Sequence, residues 1–247
     1  FKVLNTAIAL ETGAANINQR FEVAKPLRIS RFTITDYKPR IRPLNVPEIM
    51  VYSSNIGSAR IAEAIGAETQ RAYMDKLGLL DRLPLQLPET SKPLSPKTWR
   101  RTTTATVSYG HGISISMVHL ASAIAAAAGT GHWIAPTLIK PKTGEAPMAM
   151  QVFSDSTTRA VRSMMRLVVS HVDGSGNLAE ARGYMVGGKT GTAEKIKPGG
   201  YNRKANVTTF AAIFPVYDPR YVIITMVDEP KGQKHSYGYA TAGWVAA

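Results

Sequence analysis

The segment Lys189-Thr190-Gly191-Thr192 contains the residue types that bind a carboxylate. Lys189 supplies a positive charge, and the hydroxyls of Thr190 and Thr192 can donate hydrogen bonds to carboxylate oxygens. The segment falls on a predicted strand, where an unpaired backbone can bind an extended peptide as an added strand and Gly191 allows close approach. A backbone N–H here can complete an oxyanion hole. The alternative is a glycine-rich turn beside a surface lysine, because tetrapeptides recur by chance.

A second candidate is Ser53-Ser54-Asn55, which lies between two predicted helices. In this position Ser53 can relay a proton, and the amide of Asn55 can both donate and accept hydrogen bonds. The alternative is that the serines and asparagine cap a helix that begins at Ile56, since these are the preferred N-cap residues.

Lys2 is preceded by a single phenylalanine, so a residue three positions before it lies outside the given sequence. That spacing matters because a serine and a lysine at i and i+3 of a helix share one face. Burial and a nearby second cation lower the pKa of such a lysine until it can accept the serine proton. Taken alone, Lys2 is only a lysine near a terminus.

Predicted helices and strands must position these residues. Apolar spacing predicts helices over residues 1–11, 56–77 and 115–128, and Ser114 is the predicted cap of the last of these. A short helix is predicted to start at Pro47 and end near Tyr52. A further helix is predicted to be capped by Asp155. Residues 14–46 are predicted to form loops with minor strands. Residues 83–99 are predicted to be irregular. β-Branched and aromatic residues predict antiparallel strands over residues 185–195, 207–215 and 221–227, followed by a closing helix over residues 239–247.

The composition is that of a globular protein with basic charge. The chain of 247 residues is 44% hydrophobic and 19% charged, carries a formal charge of +13 and contains no cysteine. Disulfides, thiolate metal sites and a cysteine nucleophile are therefore excluded. The basic residues are scattered and lack an aromatic–basic recognition motif, which disfavours nucleic acid as a partner. The five histidines show no metal-ligand spacing, so we expect no metal or cofactor.

Together the three segments follow the order Ser-x-x-Lys, Ser-x-Asn, Lys-Thr-Gly of serine β-lactamases and penicillin-binding proteins. The resemblance extends to Tyr109-Gly110-His111-Gly112, which is similar to the Tyr-Gly-x-Gly segment of that family, and to residues 183–188, which lead into the Lys-Thr-Gly-Thr strand. Over nearly the whole chain the sequence is similar to class B penicillin-binding proteins, and within them to the division-specific transpeptidases.

This resemblance implies an α+β transpeptidase fold. The fold would have a helical subdomain over roughly residues 14–150 and a sheet subdomain over roughly residues 151–247. The sheet would be antiparallel and five-stranded, sandwiched by helices, with the active site between the subdomains. The family also implies upstream elements that complete the sheet, a nucleophilic serine two places before Phe1, a pedestal domain and an N-terminal membrane anchor, none of which is in the given sequence.

The resemblance also assigns roles to residues. It makes Lys2 the general base, Ser53 the relay to the leaving amine, and Asn55 the residue that holds the donor peptide and Lys2. It has Lys189 polarise Ser53, and Thr190 and Thr192 bind the terminal carboxylate of the donor or of a β-lactam, with Gly191 beside them. The backbone N–H of Thr192 would form half of the oxyanion hole. Gly110 is a further candidate for binding substrate. Weaker candidates for lining the cleft are Tyr109, Tyr201 and Tyr237, for which ordinary packing is the alternative.

The implied activity is peptidoglycan D,D-transpeptidation by a serine acyl-enzyme during septal wall synthesis, with stem peptides as substrates and β-lactams as inhibitors. The implied partners are a septal glycosyltransferase and other division proteins, and the implied location is the periplasmic face of the inner membrane. A β-lactam sensor or an inactive scaffold is the alternative. A serine β-lactamase fits less well, because Glu89 lacks the sequence context of a deacylating base.

Overall fold

The computed structural model describes residues 1–145, 147–197, 200–231 and 241–246. Its helices are α1 (Lys2–Glu11), α2 (Val46–Val51), α3 (Asn55–Ile65), α4 (Ala67–Lys76), α5 (Arg101–Val107), α6 (Met117–Ala128), α7 (Asp155–Ser170) and α8 (Ala242–Ala246). Its strands are β1 (Arg20–Phe21), β2 (Leu27–Ile29), β3 (Phe32–Ile34), β4 (Leu44–Asn45), β5 (His132–Ile134), β6 (Ala149–Gln151), β7 (Gly187–Lys197), β8 (Gly200–Phe214) and β9 (Tyr221–Asp228). None of the helices in these ranges is long and apolar enough to cross a membrane.

The chain divides into two compact units. The first contains Phe1–Ile49 and Ser53–Val161, and the second contains Met50–Tyr52 and the chain from Arg162 onward. The boundary therefore falls inside α7. The expected division into subdomains near residue 150 stays a prediction.

Helix α1 is central to the first unit because its apolar side chains recur at helical spacing. Its buried apolar residues are Val3, Leu4, Ala7, Ile8 and Ala9. They pack against α3, α4 and α6. The helix ends at Glu11, and Gly13 follows with φ of +70°. The predicted helix is thus confirmed, and Lys2 is its first residue.

Short antiparallel strands fill the stretch between α1 and α2, as predicted: β1 pairs with β4, and β2 pairs with β3. The stretch predicted as one helix over residues 56–77 is instead two helices. Gly66 separates α3 from α4 with φ of +84° and ψ of 160°, a backbone conformation that glycine adopts without strain. The prediction was wrong because an isolated glycine inside a helical pattern is usually tolerated.

The starts of two helices also differ from the predictions. Ser116 rather than Ser114 accepts a backbone hydrogen bond at the start of α6, and Ser154 rather than Asp155 does so at the start of α7. In each case a preferred cap type is present and the predicted position is wrong. Helix α5 was not predicted, because its threonine-rich sequence has low helix propensity.

The second unit contains the sheet. Its strands pair in the order β7-β8-β9, and both pairings are antiparallel, as predicted. Strand β8 begins at Gly200 rather than at the predicted Val207, since the polar residues between them gave no strand signal. Three strands of this sheet lie in the described residues, whereas the resemblance implies five.

Helices α7 and α8 pack on this sheet around a small apolar core. Its buried members are Val169, Ala179, Val186, Phe210, Ala212 and Ala242. Helix α8 contacts β8 and β9 and confirms part of the predicted closing helix. Residues 239, 240 and 247 of that prediction lie outside the described residues.

Candidate active site

Lys2 lies at the start of α1 with its amine directed at Ser53. The Nζ atom donates a hydrogen bond to Ser53 Oγ at 3.2 Å. Burial lowers the pKa of Lys2 to about 8, and the negative charge of Asp36 opposes part of that shift. About a tenth of Lys2 is therefore an uncharged amine at pH 7, far more than for an ordinary lysine, and this is the form that can accept a proton.

Ser53 lies in the tight turn between α2 and α3. Its φ of +56° is in the left-handed region, which is uncommon for a residue with a side chain. The Ser54 N–H donates to the Ile49 carbonyl at 3.0 Å, the closing bond of a Schellman motif whose left-handed position Ser53 occupies. Glycine is the usual residue there, so a serine at this point carries strain that the surroundings must offset.

Ser54 and Asp36 together cap helix α3. Ser54 Oγ accepts a hydrogen bond from the Gly57 N–H at 2.9 Å and donates to Asp36 Oδ2 at 2.6 Å. Asp36 Oδ1 accepts from the backbone N–H groups of Asn55 at 2.5 Å and Ile56 at 3.0 Å. The capping interpretation therefore holds for Ser54, whereas Ser53 faces Lys2 and its role as a proton relay stays a prediction.

Asn55 is the first residue of α3, and its Nδ2 donates to the Thr35 carbonyl at 3.2 Å. Its expected contacts with the donor peptide and with Lys2 stay predictions. Asp36 and Thr35 were missed by the sequence analysis. Their only signal was the polar pair that follows the strand-like residues 32–34, which does not indicate a partner.

The Tyr109-Gly110 segment follows α5 and packs beside the start of α1. Gly110 has φ of +96°, and a Cβ built on it would lie 3.0 Å from the Phe1 ring. The ring of Tyr109 tilts against that of His111 with 5.4 Å between centroids. Phe1 directly precedes Lys2, so the contact between Gly110 and Phe1 places this segment beside the start of α1, where Lys2 lies.

A buried polar network holds these helices in register. Asn5 Nδ2 donates to the Ser58 carbonyl, and Gln70 Nε2 donates to Asn5 Oδ1 and to the Thr104 carbonyl, each at 3.1 Å. Ser58 Oγ donates to the Ser108 carbonyl at the same distance. Because every one of these bonds joins two helices or a helix and the turn after α5, the network fixes α1 against α3, α4 and α5.

In the second unit Lys189 lies on β7 with 6% of its surface exposed. Its Nζ donates to Ser175 Oγ at 3.3 Å and to the carbonyl and hydroxyl oxygens of Thr190 at 3.2 and 3.3 Å. Thr190 Oγ1 also donates to Ser175 Oγ at 3.2 Å. Ser175 was not singled out from the sequence, because a serine between two glycines indicates a loop and nothing more.

Strand β7 pairs with β8 through residues 187–197 and lies at one edge of the sheet in the described residues. Its backbone can therefore accept a further strand on the other side. Gly188 and Gly191 fit closely against β8: a Cβ on Gly188 would lie 2.3 Å from the Phe210 ring, and one on Gly191 would lie 2.4 Å from Thr209 Oγ1. The side chain of Thr192 is exposed beside them.

The predicted site residues thus form two groups. Lys2, Ser53, Asn55, Tyr109 and Gly110 belong to the first unit, and Lys189, Thr190, Gly191 and Thr192 belong to the second. Of the weaker candidates, Tyr201 lies in β8 and Tyr237 lies outside the described residues.

Comparison with known proteins gives a consistent result. The family model of the penicillin-binding protein transpeptidase domain matches residues 1–247. The probable peptidoglycan D,D-transpeptidase FtsI of Caulobacter vibrioides is 39% identical over 254 residues, which cover 100% of this chain and 43% of that protein. The probable peptidoglycan D,D-transpeptidase PenA of Neisseria gonorrhoeae is 33% identical over 96% of this chain and 40% of its own. The chain therefore spans less than half the length of these relatives.

Solved structures agree. The apo transpeptidase domain of Burkholderia pseudomallei penicillin-binding protein 3 superimposes with a TM-score of 0.91 at 33% identity, covering 99% of this chain and 74% of that one. Penicillin-binding protein 3 of Mycobacterium tuberculosis in complex with ampicillin gives 0.87 at 28% identity, covering 99% and 60%. These matches confirm the predicted α+β transpeptidase fold.

Proposed function

Because the chain belongs to the penicillin-binding protein transpeptidase family, in its class B branch, we propose that it is the catalytic domain of a septal peptidoglycan D,D-transpeptidase. One observation carries the proposal: a lysine with a pKa lowered to about 8 donates to the hydroxyl of Ser53 at 3.2 Å. An amine and a hydroxyl in contact form a short path for a proton, which acyl transfer from an amide requires.

In the first step, a serine that the family places just upstream of Phe1 attacks the penultimate D-alanine carbonyl of a donor stem peptide. Lys2 takes the serine proton as the C–O bond forms. Ser53 then gives its proton to the leaving amine as the C–N bond breaks, and it regains a proton from Lys2. The products are an acyl-enzyme ester and D-alanine, and Lys2 is again a neutral amine.

Recognition of the donor is assigned to β7. The backbone of β7 would bind the peptide as an added strand, and the hydroxyls of Thr190 and Thr192 would bind its terminal carboxylate. Lys189 would supply positive charge to that carboxylate. The N–H of Thr192 would donate to the oxyanion of the tetrahedral intermediate. The close fit of Gly188 and Gly191 against β8 supports this role, because a side chain at either position would push β7 away from β8.

In the second step, an amine of a second stem peptide attacks the ester carbonyl. Its proton returns through Ser53 and Lys2 to the departing serine oxygen, so the enzyme ends as it began. No metal or cofactor takes part. A β-lactam would follow the first step alone, because its leaving amine remains tethered to the acyl group.

The proposal extends to location and partners. The protein would act on the outer side of the cytoplasmic membrane, held by an N-terminal anchor, and beside a septal glycosyltransferase and other division proteins. The formal charge of +13 suits work beside anionic lipid headgroups and wall polymers. Binding to such polymers should weaken as salt is raised, which a sedimentation assay with purified wall material measures.

The function is tested in the full-length protein that contains this chain. A donor peptide that ends in D-alanyl-D-alanine and an excess of a D-amino acid acceptor are incubated with it, and the products are identified by mass spectrometry. We expect one D-alanine released for each acceptor joined. Release of D-alanine with only the hydrolysed peptide would indicate a carboxypeptidase or a β-lactamase-like enzyme. Labelling by a fluorescent penicillin without any peptide product would indicate a sensor.

A further inference from the structure

We propose that Asp36 is the positioning residue of the Lys2–Ser53 pair, and that its carboxylate holds the turn that presents Ser53 to Lys2. The inference rests on the proposed function, in which the Lys2–Ser53 pair transfers a proton. The hydrogen bonds of Asp36 run to the residues that directly follow Ser53, so it would act through the backbone of α3 and through its charge.

The geometry of Asp36 favours this role. Three donors from three consecutive residues converge on its two oxygens: Ser54 Oγ at 2.6 Å, Asn55 N–H at 2.5 Å and Ile56 N–H at 3.0 Å. The 2.6 Å bond from Ser54 Oγ is typical of a hydrogen bond to a charged acceptor. The N–H groups of a helix start also favour a negative charge, so the carboxylate and the first turn of α3 stabilise each other.

Ser53 needs such support because of its backbone. With φ of +56° it adopts a conformation that residues with side chains usually avoid. The turn is closed on one side by the Ser54–Ile49 backbone bond, and on the other side Asp36 ties down the residues that directly follow Ser53. Without the carboxylate, relaxation of this turn would move Ser53 Oγ away from Lys2 Nζ.

The charge of Asp36 acts on the same pair. Burial lowers the pKa of Lys2, and Asp36 is the charged group in the described residues that raises it again. Other ionisable residues lie on the helices that pack against α1. Helix α3 carries Arg60 and Glu63, and helix α6 carries His119. Helix α4 carries Glu68, Arg71, Tyr73, Asp75 and Lys76. The turn beside Phe1 adds Tyr109 and His111. The causes of the shift at Lys2 are burial, which is the larger, and the charge of Asp36.

Three variants separate position from charge. Asp36→Asn keeps the size of the side chain and an acceptor for the two backbone N–H groups, but it removes the charge and the acceptor for Ser54. Asp36→Glu keeps the charge and displaces the oxygens. Asp75→Asn is the matched control, because it removes an exposed carboxylate from the same unit.

The first readout is the titration of Lys2, followed by nuclear magnetic resonance of carbon-labelled lysine side chains and assigned with a Lys2→Met variant. In Asp36→Asn we expect the midpoint to fall by about one pH unit. In Asp36→Glu and Asp75→Asn it should stay close to the wild-type value. An unchanged midpoint in Asp36→Asn would overturn the inference, whatever the activity of the protein.

The second readout is the pH dependence of acylation by a fluorescent penicillin. We expect the plateau rate to fall about tenfold in both Asp36 variants, with the rising limb shifted to lower pH in Asp36→Asn alone. Wild-type rates in Asp36→Glu would overturn the positioning role. If the wild-type protein is not acylated at all, the proposed function fails, and the titration of Lys2 still decides the case of Asp36.

Discussion

The two lysines of the candidate site contact their serines at nearly equal distances and in very different surroundings. Lys2 begins a helix, and its Nζ donates to Ser53 at 3.2 Å. Lys189 lies within a strand, and its Nζ has three oxygen acceptors, from Ser175 and Thr190, at 3.2–3.3 Å. Three acceptors match the three protons of an ammonium group. The comparison supports the proposal that Lys189 acts as a fixed cation and Lys2 as the amine that gains and loses a proton.

The two sites are also held by different forces. Hydrogen bonds that Asp36 accepts, together with the Ser54 cap of α3, hold the turn that presents Ser53. Lys189 is fixed by the pairing of β7 with β8 and by glycines that fit against side chains of β8. Charge and turn geometry therefore hold Ser53 in position, whereas sheet packing holds Lys189 in position.

The largest expected effect is on the rate of acylation. We expect Lys2→Met to slow acylation by a fluorescent penicillin about 1,000-fold and to remove the rising limb of the pH profile near the pKa of Lys2. Lys189→Met should slow the reaction at every pH and leave the limb in place. Lys97→Met, at an exposed lysine, is the control. A limb that disappears with Lys189 instead of Lys2 would reverse the two assignments.

The next effect is on stability, measured by urea unfolding between about pH 7 and pH 11. The pKa of Lys2 is about 8 in the folded chain and has its ordinary value of 10.5 in the unfolded one, so between these values the unfolded chain binds a proton that the folded chain does not. Stability should therefore rise with pH through this window. Lys2→Met should be more stable than wild type by up to about 3 kcal/mol below pH 8, and the gain should vanish above pH 10.5. A pH-independent difference would contradict the burial of a protonated Lys2.

The smallest expected effect is the difference in the free energy of unfolding between alanine substitutions at two glycines of β7. A Cβ at Gly188 meets the fully buried ring of Phe210, whereas one at Gly191 meets the Thr209 hydroxyl, which can rotate away. We expect Gly188→Ala to lower the free energy of unfolding by about 2 kcal/mol and Gly191→Ala by less than half of that. Equal losses in thermal or urea unfolding would mean that packing against the core of the second unit is not what holds Lys189.

The sequence allowed prediction of the residues with distinctive types and of the elements with strong periodicity. Ser53, Lys189 and the antiparallel strands belong to this class. Asp36 and Ser175 could not be predicted, because each gains its role from a partner 14 or more positions away that only the folded chain identifies. Gly66 was misjudged for a related reason: the break between α3 and α4 depends on how both helices pack, and local propensity does not report that.

The assignment of β7 to the substrate carboxylate and of Lys2 to the proton is tested most directly by blocking that carboxylate. The ratio of acylation rates for a penicillin and its carboxamide is measured in the wild-type protein, in Lys2→Met and in Thr192→Val. We expect the wild type and Lys2→Met to share the same strong preference for the carboxylate, and Thr192→Val to lose most of it. An unchanged preference in Thr192→Val, or its loss in Lys2→Met, would contradict the assignment of β7 to the carboxylate and of Lys2 to the proton.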